Sequence, residues 1–217
     1  MKKTIFFFLF LTTILFASSY EEGMKLFNKR DYAASFEIFT ELAFADDPKS
    51  QTQIGFMYHK GYGVQKNLHS AERWYRRAAK LGDTEAQFYL GLMYHVGEGV
   101  GQNFSKAFGW YELAALQGHA GAQTNLGYMY RKGQGVYVDN NRAKEWYERA
   151  ASKNHANAQY NLGIMYENGY GVIKDFYKAK QWFIKACKNR HNESCDIVDE
   201  YKRRGMGEYE FEGFFGH

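Results

Sequence analysis

The sequence has a single proline and two cysteines in 217 residues. So few cysteines exclude a small protein held together by a disulfide framework. Neither sign of charge dominates, with Lys+Arg 28 against Asp+Glu 24. That near balance excludes the strong one-sign field on which nucleic-acid binding rests, so no nucleic-acid partner is expected. Long apolar runs are also scarce. One run, Ile5 to Phe16, is too short for an ordinary membrane-spanning helix, which takes about 20 apolar residues, and no second run follows it. What is abundant is apolar and aromatic: hydrophobic residues make up 45% and aromatic residues 18%, with Gly 22, Tyr 18 and Phe 18. A disordered chain would be apolar-poor and highly charged, so that class is excluded. One proline among many glycines predicts helices that end at glycine.

The first residues read as an address. Lys2 and Lys3 form a basic start, the Ile5–Phe16 run is broken only by Thr12 and Thr13, and Ala17-Ser18-Ser19 sets small residues before Tyr20. This pattern predicts a signal peptide over residues 1–19, cleaved near Ser19, and a secreted or periplasmic mature chain without a membrane span. An uncleaved amphipathic anchor is the alternative. Export implies a compartment that permits disulfides.

A 36-residue period organises most of the remainder. Ile54-Gly55-Phe56-Met57-Tyr58 recurs as Leu90-Gly91-Leu92-Met93-Tyr94, Leu126-Gly127-Tyr128-Met129-Tyr130 and Leu162-Gly163-Ile164-Met165-Tyr166. All four tryptophans, Trp74, Trp110, Trp146 and Trp182, share one repeat position. Such a fixed period marks a repeat architecture. Each unit reads as two helices. Over residues 84–96 Ala86, Leu90, Met93 and Tyr94 form a one-sided stripe, and Gly97 and Gly99 end it. Asn103 then stands at an N-cap before Phe104 to Leu116, matched by Asn67, Asp139 and Asp175, whose side chains accept from an orphan backbone N–H. Ala107, Trp110, Tyr111, Ala114 and Ala115 predict the apolar face of the second helix, and the Trp, Tyr and Met ladders are read as core. Gly55, Gly91, Gly127 and Gly163 fall inside first helices, where glycine costs up to about 1 kcal/mol. Their recurrence predicts that the second helix crosses there.

These strings, A-x-x-x-L-G-x-M-Y-x-x-G-x-G-V followed by A-x-x-W-Y-x-x-A-A, resemble the Sel-one-like repeat, a relative of the tetratricopeptide repeat. Four units match, 48–83, 84–119, 120–155 and 156–191. Residues 20–47, with Gly23, Phe27, Tyr32, Ala34, Phe39 and the closing Asp47-Pro48, look more like an ordinary tetratricopeptide hairpin turning at Asn28–Asp31. Residues 192–204 are expected to form one capping helix and 205–217 a flexible tail. The resemblance implies an all-α fold: an α-solenoid of stacked antiparallel helix pairs in a right-handed superhelix, its concave face lined by first helices.

Cys187 replaces the alanine at 79, 115 and 151, and Cys195 replaces Gln87, Gln123 and Gln159. The pair is similar to those of the cysteine-rich bacterial branch of the family. That likeness implies a disulfide joining Cys187 and Cys195 and stapling the capping helix to the stack. Two free thiols are the alternative.

The four G-x-G strings follow helices and recur with the repeat, so they read as helix stops rather than a nucleotide loop. His59 and His95, then His119, His155 and His191, form ladders. Ladder mates stand two packed helices apart, too far for a shared metal, and they read as inter-repeat turn residues, with His59 and His95 able to line the groove. No metal site and no cofactor are expected. In tetratricopeptide relatives an asparagine before the Leu-Gly pair bonds the backbone of a bound peptide, which points to Asn125 and Asn161; Gln53 and Tyr89 hold that position in the earlier units. Positions that vary between repeats set specificity, notably Tyr128, His95 and Arg131, with Lys132 beside them. The candidate ligand groove is therefore Asn125, Asn161, Tyr89, Tyr128, His95, Arg131 and Lys132, against the bland reading of solvated helix faces. The expected function is a repeat scaffold that binds a protein or peptide, with cell-wall peptide among the candidates. Likeness to the cysteine-rich branch implies an alternative, penicillin binding or weak β-lactam hydrolysis. The chain lacks Ser-x-x-Lys and a zinc-ligand set, so enzyme activity is left open and no catalytic residue is assigned.

Overall fold

The computed structural model describes residues 19–206. Nearly all of the expected signal peptide and most of the expected tail lie outside the described residues. Helix α1 covers 19–28. It is followed by α2 (Tyr32–Phe44), α3 (Pro48–Lys60), α4 (Leu68–Lys80), α5 (Thr84–Val96), α6 (Phe104–Leu116), α7 (Ala120–Lys132), α8 (Asn140–Ala151), α9 (Ala156–Asn168), α10 (Phe176–Lys188) and α11 (Asn192–Arg203). The described residues contain no strand, and consecutive helices pack on one another from α2 to α5 and from α7 to α11, so the fold class is the α-solenoid of helix pairs. None of these helices is long and apolar enough to cross a membrane. The chain divides into two compact units, one through Trp110 and one from Tyr111 onward.

Helix boundaries follow from caps. Asn67 accepts from Ser70 N at 2.9 Å, Asn103 from Lys106 N at 2.9 Å, Asp139 from Arg142 N at 2.9 Å and Asp175 from Lys178 N at 2.9 Å. Each satisfies one N–H that the helix leaves orphaned. At the other end, Gly61 takes φ 77° and donates its N–H to Met57 O, a left-handed stop that a side chain would strain.

In the first unit the core runs through Phe39, Ile54, Met57, Tyr75, Leu90 and Met93, all buried. In the second it runs through Tyr111, Leu126, Met129, Tyr147, Leu162, Met165 and Phe183. Burying each such side chain stabilises by about 1.5–3 kcal/mol. The mid-helix glycines show how the pairs approach. A Cβ on Gly55 would meet the Tyr75 ring at 2.7 Å, on Gly127 the Tyr147 ring at 2.8 Å and on Gly163 the Phe183 ring at 2.5 Å. The second helix does cross there, and the aromatic side chain fills the space that glycine leaves.

That contact corrects one expectation. The tryptophans are only half-buried, while the next residue in each case, Tyr75, Tyr111, Tyr147 or Phe183, is the ring that goes fully inside. Trp74 and Trp110 pack against the buried clusters from their margins rather than inside them. Three of the tryptophans carry a cation one turn on: Arg77 over Trp74, Arg149 over Trp146 and Lys185 over Trp182, at 5.6, 4.5 and 4.1 Å from the ring centres.

Every hairpin between units is stapled at one pair of positions. Gln51, Gln87, Gln123 and Gln159 are buried, and each side-chain amide donates to a carbonyl eight residues back, Ala43, Ala79, Ala115 and Ala151, at 3.0, 3.3, 3.0 and 3.3 Å. At the last such pair the link is covalent. Cys187 and Cys195 form a disulfide with their Cα atoms 4.8 Å apart. It ties α11 to α10.

Candidate functional site

The candidate groove residues sit on first helices, and each unit presents its own set. In the first unit Tyr89, on α5, stacks on Tyr75 with ring centres 5.0 Å apart and packs against Phe56 at 6.1 Å. Phe56 in turn meets Tyr62 at 5.9 Å and Phe27 at 6.2 Å, and Tyr62 stacks on Tyr32 at 4.7 Å. The outcome is a continuous floor of half-buried rings. Burial, then Glu85, which accepts from the phenol, raises the Tyr89 pKa. His95 packs edge-on against Phe104 at 5.5 Å.

His59 differs from its expected groove position. It is 5% exposed, with Nε2 3.1 Å from Glu98 Oε2. Lys66 approaches the same carboxylate at 3.6 Å. Burial alone would raise the Glu98 pKa, but the hydrogen bond and charge of His59 and the nearby Lys66 ammonium leave it lowered. The pair ties α3 to the loop after α5, so His59 is structural.

In the second unit the site centres on Arg131, at the end of α7. Its guanidinium lies 5.4 Å from the Tyr128 ring centre and 5.8 Å from that of Tyr170. Such stacking is favourable because the ring face is electron-rich. Arg131 Nε and Tyr147 Oη are both buried, and the guanidinium lies next to the phenol. Burial pushes the Tyr147 phenol up to about 12, and the Arg131 charge moderates that rise. Lys132, the next residue, is exposed. Beyond Arg131, Tyr160 donates to Glu193 at 2.8 Å, and Tyr201 donates to Glu167 at 2.5 Å. Burial and the Glu193 hydrogen bond push the Tyr160 phenol up to about 12.

The two asparagines are engaged within the chain. Asn161 donates from Nδ2 to Asn157 O, one turn back in its own helix, at 2.8 Å. Asn125 hydrogen-bonds the buried Tyr111 phenol, whose pKa burial raises. Neither side chain is thus idle, and each amide keeps further donor and acceptor capacity toward a peptide backbone.

Three histidines have roles that spacing alone does not specify. His119, His155 and His191 are the N-cap residues of α7, α9 and α11. His119 Nδ1 accepts from Ala122 N at 3.0 Å, and His191 Nδ1 from Ser194 N at 3.2 Å. His155 makes no cap bond to its own helix; its Nδ1 sits 2.9 Å from Thr124 Oγ1.

Comparison with known proteins decides the family. The Sel1 repeat model matches residues 48–83, 84–119, 120–155 and 156–191. The chain belongs to the Sel1 repeat family. Sel1 repeats form scaffolds that typically serve protein interaction. Among solved structures, a Sel1 repeat protein from Oxalobacter formigenes is 33% identical, with a TM-score of 0.82 over 87% of this chain and 75% of its own. The protective antigen c5321 of uropathogenic Escherichia coli, described as having an SLR fold, is 38% identical with a TM-score of 0.76. That match covers 79% of this chain, which spans only 37% of the antigen's length. The immunity protein Pa5087 of Pseudomonas aeruginosa, 21% identical with a TM-score of 0.56 over 83% of this chain and 68% of its own, shares the fold. No curated protein matches the sequence.

Proposed function

We propose that this Sel1 repeat chain is an exported scaffold that binds protein or peptide segments through its first helices, favouring acidic and aromatic side chains. The observation that carries this reading is the Arg131 shelf. A guanidinium held between two tyrosine rings, with the exposed Lys132 beside it, suits a carboxylate next to a ring. The half-buried aromatic floor around Tyr89 in the first unit suits aromatic side chains as well. Solenoid surfaces of this kind are the usual binding faces of repeat proteins. Export is supported by the basic start, apolar run and small residues before Tyr20, and by the Cys187–Cys195 disulfide. Cleavage after Ser19 would give mature material whose N-terminal sequencing starts at Tyr20.

An array of ten-residue peptides, varied in acidic, basic and aromatic content, tests the binding preference. Enrichment of acidic-aromatic peptides, with binding lost in Arg131→Ala, is expected. Removing a partly desolvated cation of this kind weakens binding by roughly tenfold or more. Equal retention by Arg131→Ala, or enrichment of basic peptides, would refute the shelf as the site.

A further inference from the structure

Two loops of the second unit carry large apolar side chains that touch almost nothing of their own chain. Tyr137, in the loop between α7 and α8, is 94% exposed, and Ile173, in the loop between α9 and α10, is 90% exposed. Val138 is 61% exposed beside them. Scattered exposed apolar residues are ordinary. These are not scattered, since Tyr137 and Ile173 occupy the same repeat position in consecutive repeats. The corresponding positions in the first unit hold Gln65 and Gly101.

The loops are built rather than loose. Asp139 N donates to Tyr130 O and Asp175 N to Tyr166 O, both at 2.9 Å, closing each loop back on its first helix. A Cβ on Gly171 would lie 2.6 Å from Asn140 Cβ. The second loop therefore rests directly on the residue that follows the first, and the two tips emerge from one edge.

The charges around those tips are lopsided. Residues 132–142 and 169–178 contain Lys132, Arg142, Lys174 and Lys178 against Asp139 and Asp175. Both carboxylates are already engaged. Asp139 caps α8 and pairs with Arg142 at 3.5 Å, and Asp175 caps α10 and pairs with Lys178 at 3.4 Å. Lys132 and Lys174 are exposed.

We propose that this edge of the second unit docks on an anionic lipid surface, with Tyr137 and Ile173 entering the interface and Lys132 and Lys174 facing the headgroups. The exposure and charge of the edge favour lipid over a protein groove. Tyr137 and Ile173 project singly from two separate loops, and the exposed charges of those segments, Lys132, Arg142, Lys174 and Lys178, are all basic. Buried apolar area together with attraction of basic residues to anionic headgroups is the general basis of interfacial binding. Tyrosine suits this depth because its ring is apolar and its hydroxyl is wet. The chain would lie on the membrane rather than span it, and the face that carries Arg131 could then act at a surface.

The test uses an environment-sensitive dye on the full chain. Because Cys187 and Cys195 are joined, Ile173→Cys labels at that one position, and Gln65→Cys supplies the control in the first unit. On mixed phosphatidylcholine–phosphatidylglycerol vesicles the label at 173 should shift to the blue, and the label at 65 should not. Lys132→Gln/Lys174→Gln should weaken the response at 173 by roughly tenfold or more. No shift at 173, an equal shift at 65, or an equal shift on pure phosphatidylcholine would overturn the proposal. So would a shift that needs no vesicles and grows with protein concentration, which would make a second copy of the chain the occupant.

Discussion

In the unit through Trp110, the first helices α3 and α5 begin at Asp47 and Asp83, whose carboxylates accept from Ser50 N and Ala86 N at 2.8 Å. In the unit from Tyr111, the same repeat position holds His119, His155 and His191. An aspartate there satisfies an orphan N–H and also places a negative charge at the positive end of the helix. A histidine can do the first only while its Nδ1 lone pair is free, and it adds no favourable charge. Protonated, it becomes a donor facing donors and a cation at the wrong helix end. The link to the preceding repeat differs in the same way. Thr52 donates to Asp83 Oδ1 at 2.8 Å, whereas Thr124 meets His155 Nδ1 at 2.9 Å. One backbone design thus carries two chemistries at its caps.

The largest contrast between the units lies at their staples. Cys187→Ser/Cys195→Ser should cost the second unit about 2–3 kcal/mol, as expected for opening a short disulfide loop, measured by urea unfolding with and without reductant. Equal midpoints would show that the covalent link adds nothing. Gln51→Ala, in the first unit, should cost about 1–3 kcal/mol by leaving the Ala43 carbonyl buried and unpaired. Comparing the two measures a covalent against a hydrogen-bonded version of one joint.

The glycine–ring contacts should erase the contrast. Gly55→Ala and Gly127→Ala each press a Cβ into a buried tyrosine. Overpacking costs about 1–3 kcal/mol, and better helix propensity returns up to about 1 kcal/mol. The net losses should be alike in both units; a marked difference would show that the two cores are not equivalent.

Smaller and more selective effects come from the caps. His119→Asp should stabilise by about 0.3–1 kcal/mol through the helix dipole. The His155 pKa is lowered, first by burial and then by the charge of His119. The folded state therefore binds this proton less readily than the unfolded chain. Its contribution to stability is complete above the ordinary histidine range of about 6.5 and is lost as pH falls toward the lowered folded value. Hydrogen exchange, corrected for intrinsic rates, should show the start of α9 loosening in that window while the start of α5 holds. Removing the His119 charge in His119→Asp should raise the His155 pKa, which NMR titration would read directly. A pKa that does not move would mean burial alone sets it.

The helices and their order were legible because a 36-residue period samples both faces of each helix pair four times over. The disulfide pairing was legible only through likeness to a cysteine-rich branch. Its physical basis became visible with the structure, since the cysteines replace an alanine and a glutamine that already touch through a hydrogen bond. Trp110 and Tyr111 show where periodicity stops. Adjacent residues with similar hydrophobicity cannot be ranked for burial by spacing, and the decision was made by the glycine gap on the opposing helix. The groove was legible as a row of positions, not as a set of available groups. Asn125 and Asn161 already bond Tyr111 and Asn157, and His59 is buried against Glu98. A side chain's internal partners depend on distances that no one-dimensional pattern contains. The cap role of His119 had one usable signal: it falls at the repeat position of Asp47 and Asp83.

The recurrent joint between an alanine carbonyl and a glutamine eight residues on also has a consequence for engineering. At Cys187 and Cys195 the same pair of positions already carries a crosslink between two packed helices. The same exchange, Ala79→Cys with Gln87→Cys or Ala151→Cys with Gln159→Cys, should work as an interchangeable fitting. The chain could then be locked one hairpin at a time, and the number of rigid segments made a variable set by the experimenter.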